Sequence, residues 1–500
     1  MSHISILPII IPLFGAVAVL FSKVLNRQTQ RTLSITLIFI LLAVNVMNLI
    51  NTIKFGYFVY QLGNWPAPFG ITLVLDNLSA SMVFLTSILA LGALWYSIAR
   101  NIDGAGEHFH VLFQLQLFGI NGAFLTGDVF NLFVFFEVLL LASYALILHG
   151  NGKERTKYGL HYVIINLVGS SLFLFGVGAL YGVLGTLNIA DLALEVSKLA
   201  PENNGVVAAA GLLLLLVFGL KAAMFPLYLW LPGAYSKTSA PVAALFAIMT
   251  KVGIYVIIRI HGTIFGQEAG ILSYYHLPWV LGFGLLTLLL GTVGVMASTR
   301  LKEQVAYLVL TSIATLLIAV GINSEEALSG ALYYMFHSTI IAGGFFIFAD
   351  TLSLLREEFK DNIIKTPLFK SMILSGSLYF LYAIAIAGMP PLSGFFGKLM
   401  ILSGVMEKGY AWLVFTIVLF TSLCIIVSLT KSGSQIFYDS DKSTAPLRKK
   451  ISMRIFYPSF YFLALSFILV VLANPISSFT DTTATMIFNV KEYIQAVEVF

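Results

Sequence analysis

Fourteen stretches of mostly apolar residues follow one another along the chain, centred near residues 13, 43, 86, 117, 139, 173, 218, 250, 286, 313, 340, 387, 422 and 465. A run of about 20 such residues is long enough to cross the hydrocarbon layer as a helix. The pattern therefore predicts an all-α integral membrane protein of 14 transmembrane helices. Polar residues gather between the runs, and the longest polar stretches, near 187–205, 355–370 and 432–453, are too short for a soluble domain. The first run begins at Ile4 and lacks a small-residue cleavage site, so it reads as a retained helix and not a signal peptide.

Two runs carry an internal break. The seventh reads FGLKAAMFPLYLWLPGAY, with Pro226 about a turn after Lys221; the twelfth reads AIAGMPPLSGFFGKLMIL, with Pro390 and Pro391 ahead of Lys398. Proline removes a backbone donor and clashes one turn back, which kinks or opens a helix. Interrupted segments in corresponding places point to an inverted-repeat transporter. A unit of five helices must insert upside down the second time, so segments 4–8 and 9–13 are expected to be inverted repeats. This divides the chain into 1–105 (three helices), 106–265 (first repeat), 266–438 (second repeat) and 439–500 (last helix and a short tail).

Composition agrees: of 500 residues, 59% are hydrophobic and 10% charged, with a mean hydropathy of +0.93, where soluble domains hold about 25% charged residues. The net charge of +5 matters less than where the charges lie. Loops after odd-numbered segments hold twenty Lys and Arg, from Lys23 to Arg454, and the opposite side holds five: Lys54, Lys198, Arg259, Lys408 and Lys491. The positive-inside rule then puts the odd loops in the cytoplasm and both termini outside. The one cysteine, Cys424, lies within a span, so neither a disulfide nor a cysteine-based metal site is available.

Against this background, Glu137, Lys221, Lys251 and Lys398 sit near the middles of apolar runs, accompanied by His337. A charge at a helix centre costs roughly 2.5–3.5 kcal/mol on insertion scales, so four cost on the order of 10 kcal/mol. Such groups are usually kept for proton or ion handling. Each also has a plainer reading: Glu137 as a neutral acid hydrogen-bonded between helices, Lys221 as a lysine reaching for the surface, His337 as a structural histidine. Lys221 lies too deep to reach the surface easily, and a buried lysine needs an opposite-sign partner. Glu137 is the acidic residue at comparable depth. Lys251 and Lys398 have no evident acidic partner.

Other features point elsewhere. Asp76 and Asp128 begin their spans and suit helix N-caps. Glu325 and Glu326 are expected in an outer loop, the run GVGALYG near Gly176 suits close helix packing, and His108 and His110 around Glu107 are too loosely spaced for a metal site. No nucleotide fingerprint, zinc-protease motif or hydrolase elbow occurs. No cofactor, metal site or nucleic-acid partner is expected.

The phrases LFVFFEVLLLASY around Glu137, FGLKAAMFPLYLWLPGAY around Lys221, APVAALFAIMTKVGIYVIIR around Lys251 and GMPPLSGFFGKLMIL around Lys398 resemble the antiporter-like subunits shared by Mrp (multiple resistance and pH) cation/proton antiporters and respiratory complex I. Within that family the chain looks most similar to the D-type subunits of bacterial Mrp Na+/H+ antiporter complexes. The likeness spans segments 4–13. It implies a 14-helix fold with two inverted five-helix repeats, a Glu137–Lys221 ion pair, Lys251 as bridging lysine, His337 as relay histidine and Lys398 as terminal lysine. It further implies a multi-pass protein of the bacterial plasma membrane, working with the other subunits of a six- or seven-subunit assembly that exchanges sodium for protons. The alternative is a proton-pumping membrane subunit of a respiratory NADH dehydrogenase-like or hydrogenase complex. Several relatives have a lysine one turn beyond the histidine, where this chain has Ile341, so the link from His337 to Lys398 is expected to involve water. Chain length argues against the longer members of the family, and Lys398 against the complex I member with glutamate there.

Overall fold

The structure, a computed structural model, describes residues 2–22, 26–439, 447 and 451–498. Of the basic residues used for orientation, Lys23, Lys442, Arg448, Lys449 and Lys450 lie outside the described residues. The helices are α1 (Leu7–Ser22), α2 (Arg27–Phe55), α3 (Asn77–Ala99), α4 (Phe109–Leu125), α5 (Val129–Leu148), α6 (Lys153–Leu184), α7 (Ile189–Ser197), α8 (Asn204–Lys221), α9 (Trp230–Lys237), α10 (Ala240–Phe246), α11 (Met249–Val256), α12 (Gly262–Ile264), α13 (Leu277–Ala297), α14 (Leu301–Ile322), α15 (Glu325–Leu355), α16 (Met372–Ala387), α17 (Ser393–Ser403), α18 (Ala411–Gly433), α19 (Tyr457–Val471), α20 (Ala473–Phe488) and α21 (Val490–Glu498). Among the described residues, eleven helices are long and apolar enough to cross a membrane, or twelve if α19 and α20, bent by 78°, count as one. The chain is thus a helical, multi-pass membrane protein. The expected segments near 117 and 387 fall on shorter apolar helices, α4 and the α16–α17 pair.

Side chains cap helix starts where the sequence offers them. Asp76 accepts from the Ser79 amide in a reciprocal capping box, Asp128 from the Asn131 amide, and Ser324 from the Ala327 amide. Small residues let helices touch: a Cβ on Gly176 would stand 2.9 Å from Leu214, so α6 lies directly on α8. Three features depart from expectation. A hairpin of β1 (Phe58–Gln61) and β2 (Thr72–Leu75) pairs antiparallel with Phe58 opposite Leu75. Glu325 and Glu326, expected in a loop, form the first turn of α15, where the helix dipole favours carboxylates. The stretch 477–500, expected as a tail, is helical to Glu498, and α21 packs on α7 and β1.

Odd loops meet on one face. There Arg31 Nε lies 2.7 Å from Asp103, which also meets His110 at 3.3 Å, and Asp350 joins Lys302 at 2.6 Å to Arg100 at 3.4 Å. Even-loop elements, the hairpin, α7, α12 and α21, meet on the other. Arg259 corrects the loop count: it is a buried residue within a π-helical turn, Ile257–His261, not part of a loop. Its guanidinium bonds Asp76 at 2.6 Å and lies 5.1 Å from the Tyr493 ring centre. The pair ties the start of α3, the end of the central span and the last helix together.

Removing one member of a buried ion pair strands its partner, at about 3–5 kcal/mol. Arg259→Met is therefore expected to lower thermal stability and protein abundance sharply, with partial recovery in Arg259→Met/Asp76→Leu; equal melting temperatures for wild type and the single variant would contradict this. Asp103 supplies a pH signature. Burial pushes its pKa up, but hydrogen bonds from His110 and Arg31 outweigh this and hold it at about 2, below the ordinary 3.8. A depressed carboxylate contributes stability that is complete above the unfolded pKa and is lost as pH falls through the folded one. Unfolding scans should show a loss of about 2 kcal/mol between about pH 4 and pH 2, absent in Asp103→Asn.

Candidate functional site

Glu137 lies in α5, half-buried, and its carboxylate accepts a short hydrogen bond from Ser170 of α6. One turn earlier on the same helix, Asn166 Oδ1 accepts from Lys221 Nζ at 3.0 Å. Residues four apart share a helix face, so α6 presents a polar edge with the carboxylate at one rung and the ammonium at the next. The acid and the lysine do not form a direct ion pair here; α6 joins them. Asn166 Nδ2 is held in turn by the Tyr162 carbonyl at 2.8 Å, which fixes its oxygen toward Lys221.

Lys221 is the last residue of α8, and the segment Ala222–Leu229 that follows is not helical. A cation is favoured at this carbonyl end of a helix. The Leu220 carbonyl accepts from the Ala223 amide and from Trp230 Nε1, each at 3.1 Å, and Lys221 Nζ lies 5.5 Å from the Phe136 ring centre. A cavity of about 10 Å³ adjoins Lys221, Asn166, Met249 and Val252, close to the least that holds one water, roughly 10–15 Å³. It leads from Lys221 to the helix that carries Lys251. Gly253 brings that helix close: a Cβ there would stand 2.5 Å from the Ala222 amide nitrogen, within the break.

The central span is itself interrupted. After α10 the chain turns at Ala247 and Ile248 before α11, and Tyr235 takes the free Phe246 carbonyl at 2.8 Å. Lys251 is fully buried, with Nζ 3.5 Å from Ser312 Oγ on α14. One turn along α14, Thr315 donates to the Thr311 carbonyl at 3.0 Å, and on α15 the Tyr334 ring centre lies 5.8 Å from that of His337. His337 Nδ1 meets Ser393 Oγ at 2.8 Å, and its Nε2 has no partner among the described residues. Gly394 faces that nitrogen, where a Cβ would stand at 2.5 Å.

Lys398, half-buried in α17, donates to the Ala387 carbonyl at 2.9 Å and Ser422 Oγ at 3.3 Å. Ala387 ends α16, and Pro390 and Pro391 lie in the turn between α16 and α17, as Pro226 lies in the turn after α8. Both breaks contain a cis X-Pro bond. One lysine precedes its proline and the other follows, yet both sit at the carbonyl end of an interrupted helix.

The structure gives the five expected ionisable residues separate polar neighbours, Ser170 at Glu137, Asn166 at Lys221, Ser312 at Lys251, Ser393 at His337 and Ser422 at Lys398, none of which the sequence reading singled out. The available signal was Asn166 and Ser170 at four-residue spacing in an apolar run. No group of three or more His, Cys, Asp or Glu among the described residues is placed to hold a metal.

Residues 126–424 match the family model described as NADH:quinone oxidoreductase/Mrp antiporter, transmembrane. The chain is 42% identical over 480 residues to the D subunit of a probable K+/H+ antiporter of Rhizobium meliloti, covering 89% of each protein. It is 35% identical over 500 residues to the D subunit of the Na+/H+ antiporter of Bacillus subtilis, covering 99% of each. Its fold matches a chain of the Mrp complex of Dietzia sp. with a TM-score of 0.85 at 26% identity, over 100% of both chains. The chain belongs to the NADH:quinone oxidoreductase/Mrp antiporter family of transmembrane proteins.

Proposed function

We propose that this chain is the D-type component of an Mrp antiporter complex, part of a transporter and not an enzyme, which passes protons along the Glu137–Lys398 ladder in exchange for a monovalent cation. The observation that carries the reading is that each of the five ionisable residues has a polar side chain at hydrogen-bond distance within an otherwise apolar bundle. Sodium is the expected cation, and the name of the Rhizobium meliloti relative makes potassium the alternative. The chain spans the bacterial plasma membrane with its odd loops in the cytoplasm and both termini outside. Counting α4 and the α16–α17 pair with the twelve longer spans gives fourteen crossings. Segments 4–8 and 9–13, within 106–265 and 266–438, form inverted repeats, each interrupted at its fourth segment; 1–105 and 439–500 flank them. The half-buried ends of the ladder, Glu137 and Lys398, face the other subunits of a six- or seven-subunit complex.

In the proposed cycle, the Glu137 carboxylate stabilises the Lys221 ammonium through the α6 edge. When Glu137 moves away, Lys221 holds its proton less firmly and releases it through the small cavity beside Asn166 toward Lys251. His337 and Ser393 carry it on to Lys398. Each pKa unit is worth 1.36 kcal/mol, so a swing of two units approximates the roughly 2.3 kcal/mol that a charge gains across 100 mV. Ion-pair motion and membrane voltage thus act on the same scale. The family also contains redox-driven pumps; transport that needs NADH or quinone and no cation would favour that second reading.

Proton flux driven by sodium or potassium, in vesicles holding the assembled complex, tests the scheme. Glu137→Ala is expected to abolish exchange at normal complex abundance, and normal exchange would refute the mechanism. Asn166→Leu removes an acceptor from a charged donor, worth about 1.5–3 kcal/mol, and should slow exchange by about tenfold or more. Lys251→Ala separates a relay from a scaffold: a relay loses transport at unchanged abundance, whereas a scaffold loses both in proportion.

A further inference from the structure

On the odd-loop face, apart from the ladder, lies a cavity of about 410 Å³ whose lining includes Lys153, Arg155, Lys237, Arg300, Lys302 and Lys360, against the carboxylates of Glu154, Glu303 and Asp361. We infer that this cavity is a binding site for a phosphate-bearing anion, either the headgroup of an anionic phospholipid or a free phosphate compound.

The charges there are unequally engaged. Lys302 is committed to Asp350, and Arg155 to the carbonyls of His149 and Lys237. Asp361 is occupied by the first turn of α14, its carbonyl accepting from the Leu301 amide at 2.8 Å and its carboxylate from the Lys302 amide at 3.3 Å. The side chains of Lys153, Lys237, Arg300 and Lys360 have no hydrogen-bond or ion-pair partner among the described residues. Cations around one concave surface repel one another and raise its local potential, which an anion relieves.

The backbone adds to this. α6 starts at the cavity, and its N-cap, Gly152, supplies no side-chain cap, so the first amides of a 32-residue helix lack an internal acceptor. Helix starts of this kind favour phosphate. The volume falls within the roughly 300–1,000 Å³ of small-ligand pockets. The walls lie at the ends of spanning helices, where basic pockets meet lipid headgroups. They come from both halves of the chain, α6 and α9 on one side, α14, α15 and the 360–361 loop on the other, so a bound anion would bridge the halves.

The test uses the purified, assembled complex in phosphatidylcholine nanodiscs with or without labelled phosphatidylglycerol, and with or without inorganic phosphate. Wild type is expected to retain the labelled lipid and to melt higher with it. Each basic residue is worth about fivefold toward an anionic headgroup, so Lys237→Gln/Arg300→Gln should retain it about 30-fold less well. Lys237→Arg/Arg300→Lys should restore retention, and Lys408→Gln, on the opposite face, should leave it unchanged. Inorganic phosphate that displaces the lipid and itself raises the melting temperature would identify free phosphate as a ligand of the same site; lipid retention indifferent to phosphate would identify the headgroup. If the double variant does not assemble, Lys153→Gln at the exposed start of α6 is read in its place. Equal retention and equal melting shifts in wild type and the neutralised variant would overturn the inference.

Discussion

Within hydrocarbon, a charge and an open backbone carbonyl pose the same problem, because neither finds water. In this chain each answers the other. Interrupting a helix frees carbonyls, and a buried ammonium needs acceptors and a negative potential. Lys398 reaches the Ala387 carbonyl at the end of α16, and Lys221 ends α8 at a break whose carbonyl on Leu220 is closed by Trp230. The break in the central span is closed by Tyr235. The Lys398–Ala387 contact meets both needs at once, while at the other two breaks Trp230 and Tyr235 meet the need of the backbone and Asn166 that of Lys221.

Close approach is the second condition. Gly253 lets the central helix lie against the α8 break, and Gly394 leaves room beside the free nitrogen of His337. At either place a methyl group would displace a neighbour by several tenths of an ångström, a large shift beside hydrogen bonds whose distances span only about 2.7–3.2 Å. Small residues thus set the spacing of the polar ladder, and hydroxyl and amide side chains on α6, α14 and α17 supply its intermediate contacts.

The sequence made the strongest deviations from an apolar pattern legible: the mid-span charges, the proline breaks, the acidic caps and the glycine-mediated packing at Gly176. It did not mark Ser170, Asn166 or Ser312, since a lone serine or asparagine in an apolar helix has the same pattern whether it faces lipid, closes on its own backbone or bridges two helices. Arg259 looked like a loop cation because only three-dimensional packing reveals that Asp76, 183 residues away, is its partner. The interruption at Ala247 and Ile248 carries no proline, and the Tyr235 hydroxyl that bonds the Phe246 carbonyl there comes from a separate helix. α20 and α21 were hidden because their Ser, Thr and charged residues lower hydropathy without preventing helix formation.

The Asp76–Arg259 clasp has a mechanical consequence for the central span. At that end the helix is bonded to α3 and flanked by Tyr493 of α21; at the other, the turn at 247–248 divides it from α10. Lys251 lies between the anchored end and that turn, two residues before Gly253, where the helix meets the backbone of the α8 break. The segment that carries Lys251 is thus tethered at one end and divided from its neighbour at the other, with the α8 break packed on its backbone at Gly253.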